Sequence, residues 1–122
     1  MPSESFASVR IFSPRYSRED VLALLRERLP RLHERLPLRR AVLFGSYARG
    51  DFTAFSDIDV LVVYADPPCP QAFALVKKTL GLLGLQPHVL SEGEYEALRP
   101  VWERMTEGGV ELWPGRGEGH GG

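Results

Sequence analysis

The sequence predicts a small α/β (α+β) domain, in which a mixed β-sheet is flanked by helices. Apolar runs typical of strands occur at residues 39–44, 58–64, 86–90 and 110–113. Helical spacing of apolar residues precedes the first run and recurs between the later ones. Strands and helices in this order favour a layered α/β architecture, and 122 residues fit one domain.

The first helix is predicted to begin after Ser17, because Asp20 three residues later completes a capping pattern. Pro30 lies within this helical stretch, so we expect either a kink or two abutting helices. The apolar stripe consists of Val21, Leu25, Leu29, Leu32 and Leu36.

The middle of the chain contains two clear strand patterns. Residues 39–44 form an apolar run that Gly45 closes, and residues 46–50 have room for one helical turn. Residues 58–64 are rich in β-branched side chains and apolar on both faces, which is typical of a buried strand.

A helix around Phe73 is expected to end near Gly81 or Gly84. Ser91 then opens a helix that runs to about residue 105, with a disturbance at Pro100. The strand at 86–90 precedes this helix, and the last strand follows it.

These elements assign residues 17–113 to the domain, residues 1–16 to an N-terminal arm and residues 114–122 to a disordered tail. Fifteen basic residues nearly balance sixteen acidic ones, so charge gives no basis for direct binding to nucleic acid or to a membrane. Cys69 is the sole cysteine, which excludes an internal disulfide. No signal pattern or membrane-spanning run occurs, and we expect a soluble cytoplasmic protein.

The turn at Gly45-Ser46 is a candidate phosphate-binding element. A strand that ends in glycine and serine and leads into a helix presents backbone N–H groups, which favour phosphate. Glycine lets the backbone approach closely, and the Ser46 hydroxyl adds a hydrogen bond.

Asp57 and Asp59 are candidate metal ligands. They are two residues apart at the start of a strand, so both carboxylates are expected on one face. Neighbouring carboxylates repel, and a divalent cation shared with substrate phosphates relieves the repulsion. Alone, a Gly-Ser pair is usually a turn and an Asp-x-Asp pair is usually surface charge. Their combination at the ends of two apolar strands indicates phosphoryl or nucleotidyl transfer.

The residues Gly45-Ser46-Tyr47-Ala48-Arg49-Gly50 and Ser56-Asp57-Ile58-Asp59-Val60-Leu61-Val62 resemble the signature of DNA polymerase beta-like nucleotidyltransferases. They are most similar to the minimal nucleotidyltransferases of bacteria and archaea. The resemblance implies a nucleotidyltransferase fold that binds ATP or another nucleoside triphosphate. It implies that Gly45 and Ser46 hold the β- and γ-phosphates, and that Asp57 and Asp59 bind Mg²⁺ or Mn²⁺. Arg49 either supports a phosphate or is a surface residue that fixes the loop.

His88 departs from the family pattern, which usually has a third carboxylate at this position of a later strand. An imidazole is a poor Mg²⁺ ligand but suits softer metals. It can also act as a general base near neutral pH. A third interpretation is a domain that binds nucleotide without turning it over, and the sequence leaves all three open.

The resemblance implies an enzyme that transfers AMP from ATP to a hydroxyl group. Minimal nucleotidyltransferases often pair with helical HEPN-type proteins in toxin–antitoxin modules, so the expected acceptor is a tyrosine of such a partner. One alternative is an inactive module that acts by binding nucleotide or its partner. Another is adenylylation of a small molecule such as an aminoglycoside, although no residue of the sequence indicates such a substrate. Homo- or hetero-oligomers are both compatible with the sequence.

Overall fold

The element order of a computed structural model, which describes residues 16–53 and 56–114, agrees with the sequence prediction. The helices are α1 Arg18–His33, α2 Ser46–Arg49, α3 Ala72–Leu80, α4 Glu92–Ala97 and α5 Arg99–Met105. The strands are β1 Leu38–Phe44, β2 Ile58–Tyr64, β3 Leu85–Ser91 and β4 Val110–Trp113. Apart from Tyr16 and Pro114, the predicted N-terminal arm and disordered tail lie outside the described residues.

The four strands form a mixed sheet in the order β3-β2-β1-β4. Strand β1 is antiparallel to β2 and β4, whereas β2 and β3 are parallel. In this register Phe44 lies opposite Asp59, and Leu61 lies opposite His88. The end of β1 therefore meets the beginning of β2 at one end of the sheet. The predicted small mixed sheet with flanking helices is confirmed.

Helices cover both faces of the sheet. The larger core lies between the sheet and helices α1 and α3, and it includes Leu25, Leu43, Val60 and Val76. A smaller cluster lies on the opposite face, under α4 and α5. It consists of Val42, Phe44, Leu61, Val63 and Tyr95, with the partly buried Leu90 and Trp102 packed against it. Side chains alternate between faces along a strand, so Asp59, two residues before Leu61, lies on the α4–α5 face.

Helix α1 is one continuous helix with Pro30 inside it, so the prediction of two abutting helices is wrong. The predicted cap is present: Ser17 Oγ accepts from the Asp20 N–H at 3.0 Å, and the Asp20 carboxylate accepts from the Ser17 N–H at 3.3 Å. Pro30 has no N–H, so the helix lacks the hydrogen bond that this residue would donate to the carbonyl four residues earlier, and it nevertheless continues to His33. Leu36 lies beyond the helix but remains buried.

The single helix predicted from Ser91 to about residue 105 is instead two helices, α4 and α5, which meet at Leu98. Leu98 has φ −122 and ψ 27, which interrupts the helical path. Pro100 lies at the start of α5, where its missing N–H has no intrahelical partner to lose. The disturbance predicted at Pro100 is thus a helix boundary.

Helix α3 ends at the first of the two predicted glycines, Gly81, whose φ of 55 is left-handed. No helix in the described ranges has both the length and the hydropathy to cross a bilayer.

A charged cluster fastens the edge strand β4. Arg40 on β1 donates from Nε to the Glu111 carboxylate on β4 at 3.2 Å, and from Nη1 to the Tyr95 hydroxyl on α4 at 2.8 Å. The hydrogen bonds to Glu111 raise the pKa of Arg40 above its ordinary value, although partial burial opposes this. The guanidinium therefore stays charged and ties two elements to the central strand.

Candidate active site

The turn after β1 depends on Gly45. Its φ of 78 and ψ of −155 fall in a region that is essentially restricted to glycine. Helix α2 begins at the next residue, Ser46, and the buried Tyr47 anchors it. The Tyr47 ring stacks on Phe52 with centroids 4.1 Å apart, and its hydroxyl donates to the Tyr16 carbonyl oxygen at 3.0 Å. These contacts fix the turn that presents Gly45 and Ser46 at the end of the sheet.

Gly45 touches the carboxylate of Asp59 on the neighbouring strand. A Cβ atom placed on Gly45 would lie 2.5 Å from Oδ2 of Asp59 and 3.4 Å from its Cγ. The approach follows from the pairing of Phe44 with Asp59, because that register puts the residue that follows β1 beside the beginning of β2. The structure thus brings the predicted phosphate-binding turn and one predicted metal ligand into contact.

Asp57 and Asp59 occupy different positions relative to the strand. The sequence prediction placed both on it, but β2 begins at Ile58, where pairing with Leu85 of β3 starts. Asp57 precedes the strand and is exposed, whereas 27% of the Asp59 side chain is accessible. Only Asp59 is therefore held by the sheet.

The two carboxylates suit a divalent cation that binds together with phosphate. Among residues 16–53 and 56–114, no three Asp, Glu, His or Cys groups converge closely enough to hold a metal. Mg²⁺ commonly takes one or two protein carboxylates and completes its shell with water and phosphate oxygens. Asp57 is exposed and Asp59 is partly accessible, and both offer the carboxylate oxygens that an ion of this kind binds.

His88 lies next to Asp59, with Nε2 at 3.4 Å from Oδ1. Its ring packs against two other aromatic rings. The Phe44 centroid is 5.2 Å away and the Trp102 centroid is 5.7 Å away. The structure therefore brings the predicted site residues His88 and Asp59 together.

Arg49 lies at the end of α2 and is exposed. Its Nε donates to the Asp51 carboxylate at 3.2 Å, and both side chains are mostly accessible. A surface ion pair of this kind contributes little to stability. The contact agrees with a loop-fixing role, and the predicted phosphate contact stays a prediction.

Phe44 and Trp102 were not predicted as neighbours of the site. Phe44 is the last residue of β1. It lies two positions after the buried Val42, and this spacing is the one sequence signal that places it on the Asp59 face. Trp102 lies 43 positions after Asp59 in the sequence, and only the packing of α5 brings it to His88. Nε1 of Trp102 is buried and has no hydrogen-bond partner in the described part of the chain.

A glycine turn beside a strand aspartate, on a small mixed sheet with helices on both faces, defines a nucleotidyltransferase-type domain. The nucleotidyltransferase domain family matches residues 22–106, more than half of the sequence, and the chain belongs to this family. The resemblance stated from the motifs is confirmed.

The chain is similar to protein adenylyltransferase MntA of Thermococcus cleftensis, with 35% identity over 69 residues, 56% of this chain and 70% of that protein. A structure from Sulfolobus solfataricus, provisionally assigned as a nucleotidyltransferase, superposes with a TM-score of 0.56 at 27% identity, covering 79% of this chain and 82% of that one. The structure of a toxin–antitoxin with AMP-PNP superposes with a TM-score of 0.51 at 26% identity. The match covers 84% of this chain and 77% of that one. Matches to three proteins of Methanocaldococcus jannaschii, provisionally named protein adenylyltransferases, are shorter. The chain spans 26%, 49% and 42% of their lengths.

Proposed function

We propose that this protein transfers AMP from ATP to a hydroxyl group, and that the acceptor is a tyrosine of a HEPN-type partner. The observation that carries the proposal is the contact between Gly45 and Asp59, which joins a phosphate-binding turn to a metal-binding carboxylate. The similarity to an MntA adenylyltransferase supports AMP as the transferred group. The similarity to a toxin–antitoxin structure with AMP-PNP supports both ATP and a protein partner.

In the proposed reaction, Gly45 and Ser46 bind the β- and γ-phosphates through backbone N–H groups and the Ser46 hydroxyl. Asp57 and Asp59 hold Mg²⁺ or Mn²⁺, and the ion supplies positive charge at the phosphates. The acceptor oxygen forms a bond to the α-phosphorus, and the bond from that phosphorus to the bridging oxygen of pyrophosphate breaks. Pyrophosphate leaves, and the hydroxyl proton is released to solvent.

A protein acceptor is favoured by an apolar surface close to the site. Leu98, Val101 and Met105 are 54%, 44% and 47% exposed on and next to α5. They recur at three- and four-residue spacing, so they line one side of that helix. The same helix carries Trp102, which packs against His88. A partner that covers this surface brings its hydroxyl groups close to Asp59.

The second candidate is a module that binds nucleotide or its partner without catalysis. The observation that favours it is His88, because an imidazole replaces the carboxylate that the family usually has. In this version Asp59 and the glycine turn still bind nucleotide, and the effect on the partner comes from contact alone.

Labelled ATP distinguishes the two candidates. The purified protein is incubated with [α-³²P]ATP, Mg²⁺ or Mn²⁺, and the product of the neighbouring gene. Wild type is expected to label the partner, and Asp59→Asn to lower the rate by about 10²–10³-fold, as for other losses of transition-state charge stabilisation. Asp66→Asn is the matched control, because Asp66 lies beyond the opposite end of the same strand.

Label transfer by wild type and Asp66→Asn, with loss in Asp59→Asn, supports the enzyme. Tight complex formation without label in any variant supports the binding module. Equal labelling by Asp59→Asn and wild type would show that the central aspartate has no part in the chemistry.

A further inference from the structure

We propose that His88 is a positioning residue, whose Nε2–H donates a hydrogen bond to Oδ1 of Asp59 and fixes the plane of that carboxylate. In this role the imidazole neither binds the ion nor takes a proton from the acceptor. The inference rests on the proposed function, since Asp59 is the residue proposed to bind the ion. It goes further by naming what holds this aspartate in place.

The hydrogen bond determines which atom carries the proton. Nε2 of His88 lies 3.4 Å from Oδ1 of Asp59. An ionised carboxylate only accepts hydrogen bonds, so the imidazole nitrogen has to be the donor. A ring nitrogen that carries a proton cannot accept another one. Nε2 of His88 therefore cannot act as a general base while the contact with Asp59 lasts.

The Asp59 carboxylate is constrained at both of its oxygens. The last side-chain torsion of an aspartate is broad when nothing restrains it. Here Oδ1 accepts from His88, and Oδ2 lies so close to Gly45 that a Cβ atom on that glycine would be 2.5 Å away. A carboxylate offers about four lone-pair sites, so both oxygens can still bind an ion. A carboxylate oriented in advance loses little side-chain entropy when it does so.

The imidazole that donates this hydrogen bond is itself held by packing. The centroid of the Phe44 ring is 5.2 Å away with the ring planes at 51°, and that of Trp102 is 5.7 Å away with the planes at 61°. These separations are within the range of favourable aromatic pairs. Phe44 is buried and Trp102 is partly buried, so neither neighbour is a loose surface side chain. The two contacts restrict rotation of the imidazole and keep Nε2 directed at Asp59.

Long-range ¹H–¹⁵N correlation spectra of the histidine rings test the donor directly. The full chain is labelled with ¹⁵N, and the ring signals of His88 are assigned by their loss in His88→Gln. Wild type is expected to carry a proton on Nε2 of His88. His33 is an internal reference, because its Nδ1 accepts from the Leu38 N–H at 3.0 Å and its proton is therefore on Nε2.

The affinity for Mn²⁺ in the presence of α,β-methylene ATP, which cannot transfer AMP, gives the second readout. His88→Leu keeps an apolar side chain but removes the donor, and it is expected to lower this affinity by about 10–100-fold, the usual cost of losing the partner of a metal ligand. His88→Gln is expected to recover most of the loss, because its amide N–H can donate to the same oxygen. His33→Gln is the matched control, because His33 lies at the end of α1 beside Trp113 and should leave Mn²⁺ binding unchanged.

AMP transfer separates a positioning residue from a general base. A general base would make His88→Leu and His88→Gln equally poor in kcat and would leave the Mn²⁺ affinity of both at the wild-type value. The positioning role predicts that transfer follows Mn²⁺ affinity, low in His88→Leu and largely restored in His88→Gln. Circular dichroism checks that each variant is folded, and the proton on Nε2 is observed in wild type itself.

The outcomes separate this inference from the proposed function. An Nε2 atom of His88 without a proton, or equal Mn²⁺ affinities in His88→Leu and His88→Gln, overturns the positioning role even if AMP is transferred. A proton on Nε2 together with the recovery of Mn²⁺ binding in His88→Gln supports it. If that protein never labels a partner, the transferase proposal alone is refuted.

Discussion

Replacement of Gly45 by alanine tests the central contact of the site. Alanine at φ 78 and ψ −155 costs about 1–3 kcal/mol in backbone strain. The new Cβ would also lie 2.5 Å from Oδ2 of Asp59, so the carboxylate has to move by nearly 1 Å. An off-rotamer side chain costs about 0.5–1.5 kcal/mol. We expect Gly45→Ala to lower the free energy of unfolding by roughly 1.5–4.5 kcal/mol, the sum of these two costs.

Gly50→Ala is the matched control for this change. Gly50 also has a positive φ, 89, but a Cβ there meets no atom within 4 Å. Its expected cost is the backbone strain alone, about 1–2 kcal/mol. Gly50→Ala should keep the wild-type affinity for Mn²⁺ with α,β-methylene ATP. Gly45→Ala should lose affinity for Mn²⁺, because the new Cβ displaces the Asp59 carboxylate.

Guanidinium unfolding followed by circular dichroism measures both stabilities, and a titration followed by electron paramagnetic resonance measures Mn²⁺ binding. The reasoning is refuted if the two alanine variants lose the same stability and both bind Mn²⁺ like wild type. That result would mean that the Asp59 carboxylate does not lie close to Gly45 in solution.

Two further predictions concern the helices over the site. Trp102→Ala should lower the free energy of unfolding by about 3 kcal/mol, because it removes a large, partly buried ring. Trp102→Phe should stay within about 1 kcal/mol of wild type, because it keeps a ring and removes a buried N–H that has no hydrogen-bond partner among residues 16–53 and 56–114. If Trp102→Phe lowers the free energy of unfolding as much as Trp102→Ala does, Nε1 of Trp102 has a hydrogen-bond partner. Ser91→Ala should cost about 1–2 kcal/mol, since the fully buried Ser91 accepts from the Glu94 N–H and caps α4. The exposed cap of Ser17 should be worth less, and thermal melts that reverse this order would contradict the role of burial.

Much of the fold was predictable because its signals are local. Ser17 is followed three positions later by Asp20, and Ser91 by Glu94. Both capping boxes are present. Gly81 ends α3 with the left-handed backbone that glycine allows. The split at Leu98 was harder to predict, because Pro100 is compatible with either a disturbed helix or the first turn of a new one.

The site was predictable in its residue types but not in its contacts. The sequence placed Gly45 and Asp59 at the ends of two strands, but their contact depends on the pairing of Phe44 with Asp59, which no local pattern encodes. The contact between Asp59 and His88 joins residues 29 positions apart and needs the parallel pairing of β2 with β3. Sequence patterns give the period of a strand, whereas strand order and register come from packing across the whole domain.

The pairing of Phe44 with Asp59 also frees the connection between Gly50 and Ser56. Backbone hydrogen bonds between β1 and β2 set the distance from the Gly45 turn to the Asp59 carboxylate. The connection between the strands therefore does not determine this distance. Its length and its side chains can change while the strands keep Gly45 beside Asp59. Insertions and substitutions between Gly50 and Ser56 are therefore expected to leave the separation of Gly45 and Asp59 unchanged.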